Sequence, residues 1–197
     1  MRRDGIVPGP AYEISYLQNA LQLLEKYLLS GEMYWPIRTA PPASAPPFPS
    51  LTLGGLLLSL ARLNSPAIAD EYQAMREQLR REIESNATRW RVAWEGKALR
   101  EFHARLTLWR DFLDEYRSSP ENHTDRYAYE VNRRVMLDLL EPYTEHVPEA
   151  EKELLRGLDQ LLRASFTVGG FVLEAWLEPA FPAKSYWYLY GNLRESK

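Results

Sequence analysis

The groups in this chain that could do chemistry are three histidines, several acidic clusters and a set of closely spaced arginines. Metal chemistry in a helical protein draws on Glu-x-x-His or His-Glu-x-x-His, which set two ligands on one helix face. Neither pattern occurs. His103 falls off the apolar stripe of its segment, His123 sits in a helix-start pattern, and His146 lies in a turn before Pro148. His123 and His146 stand at opposite ends of one predicted helix, about 30 Å apart at 1.5 Å rise per residue. Each histidine therefore reads as a surface or capping residue.

The acidic sets Asp111, Asp114, Glu115 and Glu149, Glu151, Glu153 read as solvated faces. The second crowds a helix start, where the macrodipole stabilises carboxylates. Paired Glu-x-x-Glu blocks that would hold Mg²⁺ are not evident. "TLGGLLLS" lacks the lysine and the spacing of a phosphate loop, and no Gly-x-Ser-x-Gly is present. With no cysteine there is no thiolate nucleophile, thiolate metal ligand or disulfide framework. No catalytic residue, metal ligand or cofactor is assigned, and the balance leans away from an enzyme.

The arginines Arg80-Arg81, Arg89/Arg91 and Arg133-Arg134 could form an anion site. Against that, Glu77 to Arg81, Glu101 to Arg105 and Glu130 to Arg134 stand at the spacing of helix ion pairs, which predicts a salt-bridged outer face. Asn132 is the one polar residue in the middle of an apolar arc made by Ala128, Val131, Val135, Met136, Leu139 and Leu140. A buried amide costs about 1–3 kcal/mol unless it finds partners. It either fixes register against another element or anchors a small-molecule pocket. Such a pocket would draw on Tyr16, Tyr27, Asn132, Ser165 and Trp176, with a proline-rich loop as its cover.

Prolines and apolar spacing define the elements that would position these groups. Gly9-Pro10, Ser65-Pro66, Ser119-Pro120 and Val147-Pro148 each put proline at a first helical position, where its missing N–H is harmless. Ile14, Leu17, Leu21, Leu24 and Leu28 mark a first helix over 10–29, and a short one follows Thr52 over 53–63. Over 66–117 the apolar stripe changes side: Tyr72, Met75, Leu79, Ile83 and Trp90 share one face, and Leu99, Phe102, Leu106, Trp109, Leu113 and Tyr116 another. That phase change predicts a break near Glu95–Lys97, at Gly96; one long helix gripping different neighbours is the alternative. Further helices are expected over 120–140 and from Pro148 to about Leu177. In the last, Leu154, Leu158, Leu161, Leu162, Val168, Val172 and Trp176 form the apolar face, with Ser165 and Gly169 as a small-residue seam for a close neighbour.

The predicted architecture is all-α: one bundle of five to six helices spanning 1–197, with a proline-rich loop at 36–50 and an aromatic tail at 183–197. The loop's prolines force extended or irregular backbone suited to aromatic grooves; Tyr34, Trp35 and the tail's own aromatics are candidate receptors. The tail, "SYWYLYGN", is expected to run extended and clasp the bundle, with Trp187 and Leu189 inward and Tyr186, Tyr188 and Tyr190 outward.

A formal net charge of −3 argues against a nucleic-acid partner. The N-terminus lacks the apolar run of a secretory signal and no apolar stretch is long enough to span a bilayer, so a soluble, cytoplasmic protein is expected. The expected function is non-enzymatic protein–protein binding, as a scaffold or homo-oligomer, through Trp35, Tyr186, Trp187 and Tyr188, since aromatics dominate interface energies. The alternative is a small-molecule-binding or enzymatic bundle with a pocket near Asn132 and Trp176.

Overall fold

The structure is a computed structural model that describes residues 9–42, 45–66 and 68–194. Residues 1–8, on which the expectation of no secretory signal rests, lie outside the described residues. So do residues 43 and 44 of the proline-rich stretch, residue 67, and 195–197 of the tail. Among the described residues there are six α-helices, several 3₁₀ turns and one two-stranded sheet, so the fold is an all-α bundle. No helix of these residues is long and apolar enough to cross a membrane.

Helix α1 is Pro10–Leu29, opened by Gly9 and Pro10. It buries Ile14, Leu17, Ala20, Leu24 and Leu28, the predicted stripe with Leu21 at its edge, together with Tyr16 and Tyr27. Its C-terminus closes on Ser30, whose Oγ donates to the Tyr27 carbonyl at 2.8 Å. Lys97 completes that cap: its ammonium lies 4.2 Å over the Tyr27 ring and bonds Ser30 Oγ and the Glu32 carbonyl. A cation belongs there because the last carbonyls carry the negative end of the dipole.

The chain then crosses to α2, Leu53–Arg62. The connection is pinched where Trp35 and Leu51 exchange two backbone hydrogen bonds, 3.0 and 2.7 Å long. Its Phe48 packs on Tyr12 and Tyr16 of α1, centroids 5.1 and 5.9 Å away, and Pro47 accepts a bond from the Tyr12 hydroxyl. Helix α2 is apolar nearly all round, as a central helix must be, and packs on α1, on α4 (Arg91–Ser118) and on α5 (Tyr127–Leu140).

The segment 66–117 does divide, but the break is at Trp90, between α3 (Asp70–Arg89) and α4. The physical reason lies just upstream. Asn86 Nδ2 and Thr88 Oγ1 each bond the carbonyl four residues back, Glu82 and Glu84 at 2.9 Å. Back-bonding of the Thr88 kind often bends a helix. A Cβ built at Gly96 would meet nothing within 4 Å, and the residue lies exposed inside α4, so the helix passes through it.

Helix α5 begins at Tyr127 rather than near 120, after two 3₁₀ turns, Pro120–Asn122 and Thr124–Arg126. His123 Nδ1 meets the Ser119 carbonyl at 2.8 Å and Thr124 Oγ1 bonds that of Pro120 at 2.9 Å, competing with a regular first turn.

The expected long last helix is two different structures. Helix α6 is Glu149–Ala164, and the chain then turns into strand β1, Phe166–Phe171. β-Branched Thr167 and Val168 followed by Gly169-Gly170 are poor helix formers. The tail supplies the partner strand, β2 (Tyr190–Leu193), antiparallel. Val168, Val172 and Trp176 are therefore not on a helical face, and Val168 is 82 % exposed. Gly169 packs on the Gly191 backbone rather than on a helix; a Cβ built there would lie 3.7 Å from Gly191 Cα. Gly191 itself needs glycine: its φ is +151° and a Cβ would approach the Thr167 carbonyl to 2.2 Å.

The tail does fold against the bundle, with other aromatics inward than expected. Trp187–Leu189 form a 3₁₀ turn instead of an extended strand, so the alternation fails and consecutive residues Tyr188 and Leu189 are both fully buried. Tyr188 bonds Asp138, lies 4.9 Å from the Arg134 guanidinium, and accepts the Tyr127 hydroxyl at its carbonyl, 2.7 Å. Trp187 is half-buried between Phe166, at 5.6 Å, and Arg163, at 3.7 Å. Tyr186 is half-buried edge-on to Phe181.

Candidate cleft between helices α1, α2 and α5

Stripes at helical spacing from four helices converge on one cleft of about 570 Å³: Tyr12 and Tyr16, Gly55 and Arg62, Arg105, and Asn132 with its neighbours, among others. Pro49, Ser50 and Tyr34 of the α1–α2 connection form one wall. Two glycines, Gly54 and Gly55, stand in the first turn of α2, and Gly55 lines the cleft. A Cβ at Gly54 would stand 2.7 Å from Glu101 Oε1 and 3.2 Å from Met136 Cβ, and one at Gly55 would meet Thr52 Oγ1 and Tyr16 Oη at 3.1 and 3.2 Å. Bare backbone here lets α5, the Glu101 carboxylate and the Tyr16 hydroxyl all reach the first turn of α2.

The floor is a chain of polar contacts. Ser59 Oγ donates to Glu13 Oε2 at 2.6 Å, and Arg62 Nη1 to Glu13 Oε1 at 3.0 Å. Arg62 Nη2 donates to Asn132 Oδ1 at 3.1 Å. Asn132 Nδ2 bonds the carbonyls of Ala128 and Tyr129, at 3.2 and 3.0 Å, which fixes the amide's orientation. A second array stands beside it. Glu101, 1 % exposed, accepts from the Gly54 amide at 2.9 Å and from Arg105, which also reaches Thr52 Oγ1. Here a carboxylate satisfies the positive end of α2. Arg133 is held through Nη1, by the Leu108 carbonyl at 3.4 Å and by the buried Glu130.

Two buried groups of the lining residues lack a partner among the described residues, Arg62 Nε and the Tyr16 hydroxyl. The Tyr16 hydroxyl is buried and makes no hydrogen bond among the described residues. Burial, then the negative charges of Glu101 and Glu13, push its ionisation well above the usual range, so it stays a protonated donor. Tyr12, at the rim, is shifted the same way, by partial burial and Glu13.

Of the residues singled out in the sequence, Tyr16 and Asn132 do meet in this cleft, and residues 49 and 50 of the proline-rich stretch border it. Tyr27 lies at the far end of α1 beneath Lys97, and Ser165 caps α6. Trp176 is half-buried in the 3₁₀ segment Ala175–Ala180, and Trp35 is spent on the bridge to Leu51. None of these four lines the cleft, nor do Tyr186, Trp187 and Tyr188.

The ion pairs are not all on an outer face. Glu101–Arg105 forms at the predicted spacing, inside the protein. Glu130 pairs with Arg126 and Arg133, whereas Arg134 takes Asp138 and Asp159. His103 is exposed and meets Glu151 at 2.8 Å. Glu13, Ser59 and Arg62 were not singled out. A signal existed for two of them, because Ser59 and Arg62 are the only polar side chains of an otherwise apolar α2, three apart on one face.

Chemically, the cleft offers hydrogen-bond donors around a fixed framework. Each of its carboxylates is held by an arginine. Set against known proteins, the chain matches no family model, no curated protein and no solved structure.

Proposed function

We propose that this chain is a binding protein for a small organic molecule, seated in the cleft between α1, α2 and α5. The observation that carries the reading is the floor: Glu13, Arg62 and Asn132 are mutually fixed beside an open volume of about 570 Å³. That size is typical of small-molecule sites, which pair an apolar lining with a few placed polar groups. A fixed framework costs a ligand little ordering entropy. The protein–protein reading rests on aromatics that pack inward: Tyr188 is fully buried, and Trp187 and Tyr186 lean on Phe166 and Phe181.

The test is a thermal-shift screen of a metabolite library against the wild-type chain and Ser50→Trp. Ser50 is exposed at the cleft wall, so the indole obstructs the cleft without entering the core. A ligand at 100 times its dissociation constant stabilises by about 2.7 kcal/mol, a rise of roughly 5–10 °C for a chain of this size. The rise should vanish in Ser50→Trp. Equal stabilisation of both proteins, or no stabilising compound, refutes the reading.

A further inference from the structure

We propose that the ligand of this cleft is an organic oxyanion on a flat apolar body, an aromatic carboxylate in the simplest form, with Arg133 as its anchor. The inference rests on the cleft being a small-molecule site and adds the class of molecule. The cleft wall carries three arginines, Arg62, Arg105 and Arg133, each paired with a buried carboxylate, Glu13, Glu101 and Glu130. The pairs nearly cancel in charge, so what the wall offers an anion is the guanidinium donors that the pairs leave unused.

The arginines are incompletely used, in a specific way. Arg133 is fastened by Nη1 alone, and its Nε and Nη2 make no hydrogen bond among the described residues. The Nε–Nη2 edge is the one that grips a carboxylate side-on with two parallel bonds. This protein does so elsewhere: Arg134 holds Asp159 by that edge at 2.8 and 2.9 Å. Arg105 likewise leaves Nη1 unused.

Tyr16 supplies the second requirement. Its hydroxyl is unpartnered, and it lies against Gly55, where the cleft wall is bare backbone. A protonated phenol whose neighbouring carboxylates, Glu13 and Glu101, are already engaged by Arg62 and Arg105 needs an acceptor oxygen. The flat body is indicated by the rings of Tyr34 and Tyr129, 51 and 75 % exposed, and by Pro49, Leu58 and Met136 in the same wall. Exposed tyrosine rings beside an arginine cluster suit an aromatic partner, which gains from stacking as well as from burial.

The experiment is calorimetric titration with naphthoate, its uncharged isostere naphthamide, and naphthyl phosphate. Naphthoate should bind the wild-type chain at least about tenfold tighter than naphthamide, a difference of about 1.4 kcal/mol. Arg133→Gln should remove that preference while leaving naphthamide binding unchanged, and Arg133→Lys should restore only part of it, since lysine keeps the charge without the fork. Tyr16→Phe should weaken naphthoate several-fold. Glu130 keeps Arg126 when Arg133 is replaced, and an unchanged melting curve checks that the fold is intact. Tighter binding of naphthyl phosphate than naphthoate keeps the oxyanion but replaces carboxylate by phosphate.

Equal binding of naphthoate and naphthamide, indifference to Arg133→Gln, or no naphthoate binding at millimolar concentration overturns the proposal. If neutral library compounds still stabilise the wild-type chain and not Ser50→Trp, the cleft remains a binding site and only the ligand class falls. If none does, both readings fall together.

Discussion

Raising the pH should unfold this protein cooperatively, because it buries phenols that it cannot afford to ionise. Tyr16, Tyr27, Tyr127 and Tyr188 are each at most 2 % exposed. In all four, burial is the largest cause of an ionisation pushed well above the ordinary range. In the unfolded chain a tyrosine ionises near pH 10. Between that value and the higher folded one, the native state binds more protons than the unfolded state. Stability is therefore complete below about pH 10 and falls as pH rises towards the folded values, by about 1.4 kcal/mol per pH unit for each phenol.

By about pH 11, four phenols together have removed about 5–6 kcal/mol. A domain's whole stability is about 5–15 kcal/mol. Unfolding should therefore centre about one to three units above pH 10, and sharply. The assay is a titration that follows phenolate absorbance and helical circular dichroism on the same sample. The last phenols should ionise together with loss of the helical signal. Complete ionisation of all 12 tyrosines with the helical signal intact would refute the reasoning. Two variants sharpen it. Tyr127→Phe gives up the 2.7 Å bond to the Tyr188 carbonyl and should cost about 1 kcal/mol at neutral pH. Tyr16→Phe discards a hydroxyl with no partner and should gain about 1 kcal/mol there. Both should lower the alkaline slope by one phenol's share.

The close approach at the start of α2 can be tested by Gly54→Ala. Alanine is favoured over glycine in a helix by about 1 kcal/mol, but its Cβ would stand 2.7 Å from Glu101 Oε1 and 3.2 Å from Met136 Cβ. Overpacking of this kind costs about 1–3 kcal/mol, so urea denaturation should show a net loss; a gain would mean that α5 and Glu101 yield freely. Ending the chain after Lys184 removes Tyr188, Leu189 and Leu193, at 0, 0 and 2 % exposure. At about 1.5–3 kcal/mol for each side chain and roughly 2–4 °C per kcal/mol, the melting temperature should fall by at least about 10 °C. A shift of only a few degrees would show that the tail is not part of the core.

The elements that were legible in the sequence are those whose signals are local. Pro10, the stripe from Ile14 to Leu28, and the Thr52 cap act within a turn or two, and α1 and the start of α2 fall where those residues put them. The break in 66–117 was legible as a change of phase but misplaced, because the glycine is tolerated on a solvent face while Asn86 and Thr88 bend the backbone earlier. The end of α6 was missed for a different reason. Residues 166–171 had the apolar spacing of a helix, and what turns them into a strand is a partner about 25 residues away that pairs Phe166 with Leu193.

The same argument explains why the cleft was only half legible. Asn132 stood out because an amide on an apolar arc is a local contradiction. Its partner Arg62 is 70 residues away, and Arg62 meets Glu13 across 49. Neither charge carries a local signal of its partner. Buried opposite charges tolerate one another only when geometry is good and the leftover hydrogen-bonding capacity is met. Glu13 satisfies that demand, with Ser59 and Arg62 on its two oxygens, and so does Glu101, with Gly54 and Arg105. Arg133 and Tyr16 do not: one keeps an unused edge and the other an unused hydroxyl. Other buried donors also lack partners, Arg62 Nε and the indole N–H groups of Trp90, Trp94, Trp109 and Trp176 among them; what Arg133 and Tyr16 share is that both line one cleft, where a single ligand would take up the donors they leave over.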